Sequence, residues 1–364
     1  MSSRPEDLSV QRRLALVALG VFASLSTAGI IFGFQSLRPA LLKSGVYANL
    51  CSNASTIAGD QEPCIPQLLR LNLMFTVAST GANLASLPIG LGLDRYGPRK
   101  TVFAGCVLCF LGSLLFGISS TAFDGYLTGY LLLGVGGPFC FIGSLHISGA
   151  FPAYSGLIMA ALTGAFDASS SVFFFFALLF KTIKGPIQTY FLFYSIIPIL
   201  IAVMAAFLMP RSSFGGKLPD ETDGDEEDLI ASEGRETDPL LPNLTADGEA
   251  APVLMETDGL LCRQLRSWEY GGILLAMCLF MLRLNFYMSS IREQIVDLSG
   301  LPAKDPKVET LVSFFNVALP AAGIICIVPI GYLLDRKSFA ISFGVLWVFG
   351  MTFGALALTP NLLL

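Results

Sequence analysis

Long apolar runs alternate with short polar segments along almost the whole chain. Nine of these runs are about 20 residues or longer, the length that an α-helix needs to cross a hydrocarbon layer roughly 30 Å thick. The pattern therefore predicts an all-α polytopic membrane protein and excludes a transmembrane barrel, whose strands are short and alternate in hydrophobicity. The predicted spans cover residues 14–37, 69–93, 101–120, 125–148, 154–180, 187–209, 268–291, 310–334 and 338–358.

The positions of the basic residues predict the orientation of the spans. Cytoplasmic loops carry an excess of Lys and Arg, so the N-terminal tail, residues 1–13, is expected in the cytoplasm. The first apolar run is too long for the core of a cleavable signal peptide, and we interpret it as a retained first helix. The basic residues that fall on the predicted cytoplasmic side are Arg12, Arg13, Arg95, Arg99, Lys100, Arg336 and Lys337.

The first loop on the opposite side contains Cys51, Cys64 and the glycosylation sequon that starts at Asn53. A disulfide and an N-linked glycan both form on the lumenal or extracellular face. We therefore predict a Cys51–Cys64 disulfide and a glycan on Asn53. The alternative is two free thiols and an unused sequon.

A polar, acidic segment at 210–267 separates the sixth span from the seventh. It has too few apolar residues to offset the loss of chain entropy on folding, which predicts a disordered cytoplasmic linker. The predicted organisation is a six-helix bundle over 14–209, the linker, and a partial bundle over 268–364. Within the linker, Glu236 precedes Leu240 and Leu241 at the spacing of a dileucine sorting signal, which predicts contact with sorting adaptor complexes.

Composition narrows the function. The chain is 54% hydrophobic and 13% charged, with a mean hydropathy of +0.68, whereas soluble domains carry roughly 25% charged residues. The net charge of −5 reflects the acidic linker, and the absence of a basic stripe argues against nucleic-acid binding. No Ser-His-Asp set, phosphate-binding loop or metal-ligand cluster is present in the sequence, so neither an enzyme nor a cofactor is predicted.

One short motif occurs twice. The second span ends in PIGLGLDR (88–95), continuing as YGPRK, and the eighth span ends in PIGYLLDR (329–336). The first copy resembles the loop between helices two and three of the major facilitator superfamily, and this superfamily repeats the motif in its second half. The resemblance implies two related bundles that rock against each other to give alternating access. The residues that it implies in gating are Gly90, Asp94, Arg95, Arg99, Gly331, Asp335 and Arg336.

These gating residues have separate expected tasks. Gly90 and Gly331 would permit close helix approach. Asp94 and Asp335 would face a helix N-terminus and a neighbouring Arg, closing the cytoplasmic side. Only three spans follow the linker, where a complete second half has six, so we expect a C-terminal truncation and the fold of a six-helix half with an incomplete second half.

Further segments resemble one branch of the superfamily, the system-L-type facilitators of large neutral amino acids and their fungal vacuolar relatives. They are TAGIIFGFQSLRPALL (27–42), GVGGPFCFIGSLH (134–146), GAFDASSSVFFFF (164–176) and LRLNFYMSS (282–290). The resemblance implies a neutral amino acid as substrate. Together with the sorting signal, it predicts a vacuolar or lysosome-like membrane rather than the cell surface.

The predicted substrate site is built around two charges inside spans, since intramembrane ionisable residues mark pathways or relays. Asp167 and Arg283 lie at similar predicted depth from the cytoplasmic face. Arg283 is expected to face a substrate carboxylate, with polar groups from Thr27, Gln35, Asn285 and Tyr287 nearby. The alternative for Asp167 is that it caps a local Ser169–Ser171 network and never meets substrate.

Alternatives for the whole protein remain open at this point. One is a proton-coupled carrier of another small metabolite, such as a monocarboxylate. Another is a non-transporting membrane sensor or scaffold, and a third is an inactive fragment. Leucine uptake into vesicles, with and without an uncoupler, separates a facilitator from a proton-coupled carrier, and the scaffold alternative requires that a full-length version show no substrate-dependent flux.

Overall fold

The protein is described by a computed structural model, which covers residues 9–51, 64–120, 123–183, 185–210, 267–302, 305–336 and 339–357. In these residues the chain is helical and contains no strand. The α-helices are α1 (Val10–Ala23), α2 (Phe34–Lys43), α3 (Ile65–Tyr96), α4 (Pro98–Gly117), α5 (Tyr126–Leu145), α6 (Ser155–Ala168), α7 (Ser171–Ile183), α8 (Ile187–Tyr194), α9 (Ile196–Leu208), α10 (Trp268–Ser299), α11 (Pro306–Ile325), α12 (Ile327–Arg336) and α13 (Phe339–Ala357).

The helices agree with the predicted membrane class. In the described part of the chain six helical stretches are long and apolar enough to cross a membrane, and the bent pair Val10–Ala28 and Ile30–Lys43 makes a seventh. The two other predicted spans, 69–93 and 338–358, coincide with α3 and α13. The chain is therefore an all-α integral membrane protein.

The first predicted span is bent by 46° at an interruption, and three other spans contain short local breaks, none of which the apolar pattern indicated. The first contains a π-helical turn, Ser24–Ala28, and a 3₁₀ turn, Ile30–Gly33, between α1 and α2. The fifth, sixth and eighth spans have breaks of only one or two residues, between α6 and α7, α8 and α9, and α11 and α12, and each remains one helical stretch. Periodic hydrophobicity reports which face is buried, but it is insensitive to a break whose backbone groups are satisfied by neighbouring helices.

Close helix contacts in the first bundle depend on glycine. A Cβ atom on Gly112 of α4 would lie 2.7 Å from the Gly129 carbonyl oxygen of α5, and one on Gly136 would lie 2.7 Å from the Cys109 sulfur. Small residues at such contacts let two membrane helices approach closely enough for extensive van der Waals packing. Stacked rings fill the space beside them, with the Phe116 and Phe191 centroids 3.9 Å apart.

The helices after the linker pack on α6 through the same kind of contact. A Cβ atom on Gly164 would lie 2.6 Å from the Gly323 carbonyl oxygen of α11, and one on Gly331 of α12 would lie 3.0 Å from the Cα of Leu157. Residues Met1–Gly216 and Asn285–Leu364 belong to one compact unit, and Lys217–Leu284 form another. α6 of the first bundle thus meets α11 and α12 at close contacts made possible by glycine.

Candidate functional site

The breaks in the first and fifth spans meet each other. The amide of Gly29, between the π and 3₁₀ turns, donates to the Ser169 hydroxyl 2.7 Å away, and Ser169 lies between α6 and α7. A Cβ atom on Gly33 would overlap the carbonyl oxygen of Ser170. We call these residues (Gly29, Gly33, Ser169 and Ser170) the broken-helix junction. Irregular backbone at membrane depth is tolerated where it is buried in protein or lines a cavity.

Buried tyrosines bond to backbone carbonyl groups in the first break. The Tyr194 hydroxyl donates to the Ser26 carbonyl at 2.7 Å, and the Tyr130 hydroxyl donates to the Ile31 carbonyl at 2.8 Å. Unpaired backbone groups in an apolar environment are costly, so these phenols stabilise the irregular turns. Thr27 is fully buried and donates to the Ala23 carbonyl at 2.7 Å, which places its hydroxyl inside the bundle.

Two polar contacts join the second part of the first span to α10. The Gln35 side chain donates from Nε2 to the Ser289 carbonyl at 2.7 Å. One turn further, the Arg38 guanidinium donates to Glu293 Oε1 at 2.8 Å, with the Arg38 side chain 8% exposed and the Glu293 side chain 50% exposed. We call these four residues the latch. It connects the six-helix bundle to a helix that follows the linker.

Asp167 lies on α6 against α11. A Cβ atom added to Gly323 would be 2.6 Å from the Asp167 Cβ and 3.5 Å from its Oδ2, and the Asp167 side chain is exposed. The nearby hydroxyls of Ser169 and Ser170 donate to the backbone carbonyls of Phe166 and Asp167. These serines therefore bond to the backbone, and the described residues show no serine network capped by the Asp167 carboxylate.

The three predicted substrate-site residues on α10 differ from one another in their surroundings. The Tyr287 ring is edge-on to Phe315 and Phe353, with centroids 5.6 Å apart in each case, so it packs in an aromatic cluster. Asn285 is partly exposed two residues before it. Arg283 is also partly exposed, and it belongs to the other compact unit. Its approach to a substrate carboxylate stays a prediction.

Both motif copies lie at the C-terminal end of a helix: α3 ends at Tyr96, and α12 ends at Arg336. Close helix approach is present at Gly331, but the same expectation is wrong for Gly90, where an added Cβ would meet nothing within 4 Å. The reason is that α12 packs on α6, whereas the Gly90 face of α3 has no such neighbour among the described residues. We call this end of the molecule the motif end.

The charged residues of the first motif copy are exposed or partly exposed. Asp94 is exposed and forms no ion pair with any residue that the structure describes. Arg95 is exposed and lies over the Tyr96 ring at 5.8 Å, and Arg99 is partly exposed. Asp335 is in the last turn of α12. The predicted charge cluster with Asp94 is therefore not formed here, and a gating role stays a prediction.

The opposite end of the bundle carries the predicted disulfide. The structure joins Cys51 and Cys64 with their Cα atoms 5.9 Å apart, and we call this end the disulfide end. Asn53, Glu236, Leu240 and Leu241 lie outside the described residues, as does most of the linker. Among the described residues, no group of three or more His, Cys, Asp or Glu side chains could hold a metal ion.

A comparison with known protein families decides the classification. The family described as the Major Facilitator Superfamily matches residues 23–364, which is most of the chain. The chain belongs to the Major Facilitator Superfamily. This agrees with the twin motif copies at the ends of α3 and α12, and it makes the chain a member of a family of membrane transporters.

Relatives within the superfamily cover different shares of the chain. Protein FMP42 of Saccharomyces cerevisiae is 33% identical over 397 residues, covering 96% of this chain and 76% of that protein. Equilibrative nucleobase transporter 1 of Bos taurus is 31% identical over 221 residues, covering 58% of this chain and 44% of that protein. Large neutral amino acids transporter small subunit 3 of Homo sapiens is 28% identical over 174 residues, covering 45% of this chain and 31% of that protein. The chain thus matches less than half the length of the latter two.

Sequence reasoning missed the latch and the junction. Arg38 and Glu293 follow the predicted ends of the first and seventh spans, at 37 and 291. Opposite charges just beyond two spans that line the central cavity in this superfamily were a usable signal for the ion pair. The bond between Gly29 and Ser169 joins residues 140 positions apart, and neither residue type is distinctive in an apolar segment.

Proposed function

We propose that this chain is a secondary transporter that moves neutral amino acids across a membrane by alternating access. The observation that carries the proposal is the broken-helix junction, where interrupted helices from two spans meet. Substrate sites of secondary transporters are typically formed by discontinuous helices near the middle of the membrane, where freed backbone groups and helix ends face the substrate. The latch beside the junction gives the two bundles a contact that can open and close.

A neutral amino acid has three features that a site must recognise: a carboxylate, an ammonium group and an uncharged side chain. In the proposed site Arg283 binds the carboxylate, because a guanidinium fork matches its two oxygens. Asp167 faces the ammonium group, and Asn285 and Tyr287 lie on the same helix as Arg283. Gln35 becomes available when the latch opens, since its amide is bonded to Ser289 in the closed state. Thr27 supports the π turn from inside.

The names of the relatives support a small organic solute as the substrate and suggest two substrate classes to compare. One relative is named as a transporter of large neutral amino acids and another as a transporter of nucleobases. An amino acid needs a cationic partner for its carboxylate, whereas a nucleobase is neutral and planar. The intramembrane Arg283 and Asp167 favour the amino acid.

Uptake into vesicles that contain the purified full chain tests the proposal. We expect saturable uptake of labelled leucine that is insensitive to a proton uncoupler, and little uptake of arginine or adenine. Uptake of adenine instead of leucine would assign the nucleobase class. No substrate-dependent flux with any of the three would favour the sensor or scaffold alternative.

Substitutions of Arg283 test the proposed carboxylate-binding role most directly. We expect Arg283→Lys to impair leucine uptake severely, because an ammonium group cannot reproduce the bidentate geometry of the guanidinium. Arg283→Ala should be equally inactive but folded, as judged by size-exclusion chromatography. Arg12→Lys, an exposed position before the first span, is the matched control. Near-normal uptake by Arg283→Ala would contradict the assignment.

A proton-coupled carrier is the second candidate, favoured by the exposed Asp167 carboxylate in an apolar helix. A carboxylate that takes up and releases a proton would couple flux to a pH gradient. In that case the uncoupler would reduce leucine or monocarboxylate uptake, and Asp167→Asn would remove this sensitivity. An Asp167→Asn variant that loses leucine affinity without any change in uncoupler sensitivity would favour the facilitator.

The proposed location is a vacuolar or lysosome-like membrane. Its support is the acidic dileucine pattern of Glu236, Leu240 and Leu241 in a long polar segment, which sorting adaptor complexes would bind. A tagged full chain with Leu240→Ala and Leu241→Ala should move to the cell surface. If its distribution matches that of the unsubstituted chain, the signal is not needed.

A further inference from the structure

A cavity of about 450 Å³ lies at the disulfide end of the first bundle and shares no lining residue with the latch or the junction. This volume is within the range of small-molecule sites, roughly 300–1,000 Å³. Its walls come from three separate parts of the chain, the turn after α2, the start of α3 and the segment before α5, with Gln188 of α8 completing it. Four helical regions thus converge on one concave, partly open space.

The cavity contains a pair of opposite charges that is only half enclosed. Arg70 Nη2 lies 3.1 Å from Asp124 Oδ2, and the two side chains are 35% and 41% exposed. The Tyr47 hydroxyl donates to the other Asp124 oxygen at 2.9 Å, and the Arg70 guanidinium lies 5.4 Å from the centre of the Tyr47 ring. Burial and the neighbouring carboxylate raise the pKa of Tyr47 well above its usual value, so its hydroxyl stays protonated and donates.

These bonds leave binding capacity on both charges. A guanidinium has five N–H donors and an ionised carboxylate has about four acceptor positions. The contacts within the cluster use one donor of Arg70 and two acceptor positions of Asp124. A ligand carboxylate can therefore bind Arg70, and a ligand ammonium group can bind Asp124, without breaking the ion pair.

The remaining walls suit an apolar side chain. The Tyr47 and Tyr126 rings meet edge to face with centroids 5.7 Å apart, and Leu50 is 45% exposed beside them. Gln188 donates to the Tyr126 hydroxyl at 2.7 Å and fixes that ring. A ligand with one charge would use the spare binding capacity of only one member of the ion pair, whereas a zwitterion with an apolar side chain would use both and also contact the ring walls.

The wall that carries Tyr47 is held in an unusual conformation. Tyr47 has a φ of 60°, in the left-handed region that non-glycine residues rarely adopt. The turn is fixed on both sides: Gln67 donates to the Val46 carbonyl at 2.8 Å, and the Cys51 amide bonds to the Ala48 carbonyl next to the disulfide. Strained backbone persists where its surroundings determine it, and it is concentrated at ligand sites.

We propose that this cavity is a second binding site, for a zwitterionic α-amino acid with an apolar side chain, in which Arg70 binds the carboxylate, Asp124 binds the ammonium group and the rings of Tyr47 and Tyr126 contact the side chain. The inference rests on the proposed function, because the ligand belongs to the class proposed as substrate. At the disulfide end, the site would hold an amino acid apart from the broken-helix junction.

Protection of Arg70 from phenylglyoxal, a reagent that modifies arginine side chains, tests the proposal on the purified full chain. Peptide mass spectrometry gives the modification rate at each arginine separately. With leucine at ten times its dissociation constant, mass action predicts modification of Arg70 slower by on the order of tenfold. Leucinol, which lacks the carboxylate, and N-acetylleucine, which lacks the ammonium group, should not protect. Exposed Arg12 at the opposite end is the internal control and should react equally in all samples.

Two variants connect the protection to the geometry. Asp124→Asn should remove protection by leucine while Arg70 still reacts, because the ammonium partner is lost. Lys43→Gln, a nearby exposed cation outside the cavity, should leave protection unchanged. Thermal unfolding of each variant, followed by light scattering, shows whether the bundle stays folded. If Asp124→Asn unfolds, Tyr126→Leu, which removes a ring wall, replaces it and should weaken protection.

The outcomes separate this proposal from the proposed function. Unprotected Arg70 in protein that transports leucine would overturn the second site and leave the transporter intact. Protected Arg70 in protein without leucine flux would support the site and remove the transport proposal. Protection by glycerophosphoethanolamine but not by leucine would assign the cavity to a lipid headgroup and overturn the amino-acid assignment.

Discussion

At the scale of single residues, the two copies of the motif are alike in sequence but have different surroundings. Gly331 lies against the backbone of Leu157, whereas the corresponding Gly90 has an open face. Asp94 is exposed and forms no ion pair among the described residues. The two copies therefore differ in how their glycines pack in this conformation. What they share is an Asp-Arg pair in the last turns of a helix.

Asp94→Asn is predicted to slow flux strongly while changing the apparent affinity for leucine less. The predicted gating role has this carboxylate bias the equilibrium between inward- and outward-facing states, so its loss is expected to remove that bias without a direct effect on substrate binding. Initial rates of uptake over a range of leucine concentrations measure both quantities. Asp297→Asn, at an exposed position of α10, is the matched control. A large loss of affinity with an unchanged maximal rate would place Asp94 in the binding site instead.

At the scale of helices, the broken-helix junction depends on two interrupted helices that complete each other. The Gly29 amide in the first break donates to the Ser169 hydroxyl, and phenols from α5 and α8 donate to two of its carbonyls. π-helical turns inside α-helices are rare and often occur at functional sites. Because the Gly29 amide is bonded to Ser169, we expect movement of α6 and α7 to be coupled to movement of the first span.

Gly33→Ala is predicted to disrupt this junction and to reduce leucine uptake. The added methyl group would overlap the Ser170 carbonyl oxygen, which is backbone and cannot rotate away. Overpacking of this kind typically destabilises by about 1–3 kcal/mol, which thermal unfolding in detergent would detect as a lower midpoint. Gly271→Ala is the control, since a Cβ there meets nothing within 4 Å and alanine favours a helix. Equal midpoints for both variants would show that the contact at Gly33 is easily relieved.

At the scale of the whole molecule, the latch is a direct polar connection between the six-helix bundle and α10. Arg38 is buried and Glu293 is half exposed, so the two partners of the ion pair differ in their access to solvent. Removal of Glu293 leaves a guanidinium without its anionic partner in a poorly solvated place, which is unfavourable. Opening of the latch exposes Arg38 to water and relieves this penalty. The pair therefore stabilises the conformation in which α2 and α10 are joined.

Glu293→Gln is predicted to shift the population toward the open latch. Hydrogen exchange of peptides from Phe34–Lys43 and from the second half of α10 should become faster in purified protein, while peptides from α4 and α5 remain unchanged. Glu309→Gln, at an exposed position in the first turn of α11, is the control. If exchange in α2 and α10 is the same in both variants, the ion pair does not hold the two elements together.

The sequence by itself determined the class of the protein. Apolar runs of membrane-spanning length and the repeated motif indicated an all-α membrane protein and its superfamily, because both signals are local and need no tertiary contact. The same holds for the pairing of Cys51 with Cys64, which lie 13 residues apart in one polar loop. These inferences use the length, periodicity and spacing that the chain displays along its own axis.

Tertiary structure alone decided where the helices break and what those breaks contact. Glycine and serine in apolar segments are equally compatible with a continuous helix, and the interruption of the first span is stabilised by contacts with Ser169, Tyr130 and Tyr194. The latch and the amino-acid cavity depend in the same way on partners far along the chain, such as Glu293 for Arg38 and Asp124 for Tyr47. Hydrophobic periodicity specifies that a face is buried, but the identity of the partner is set by how the helices pack, which is a property of the whole fold.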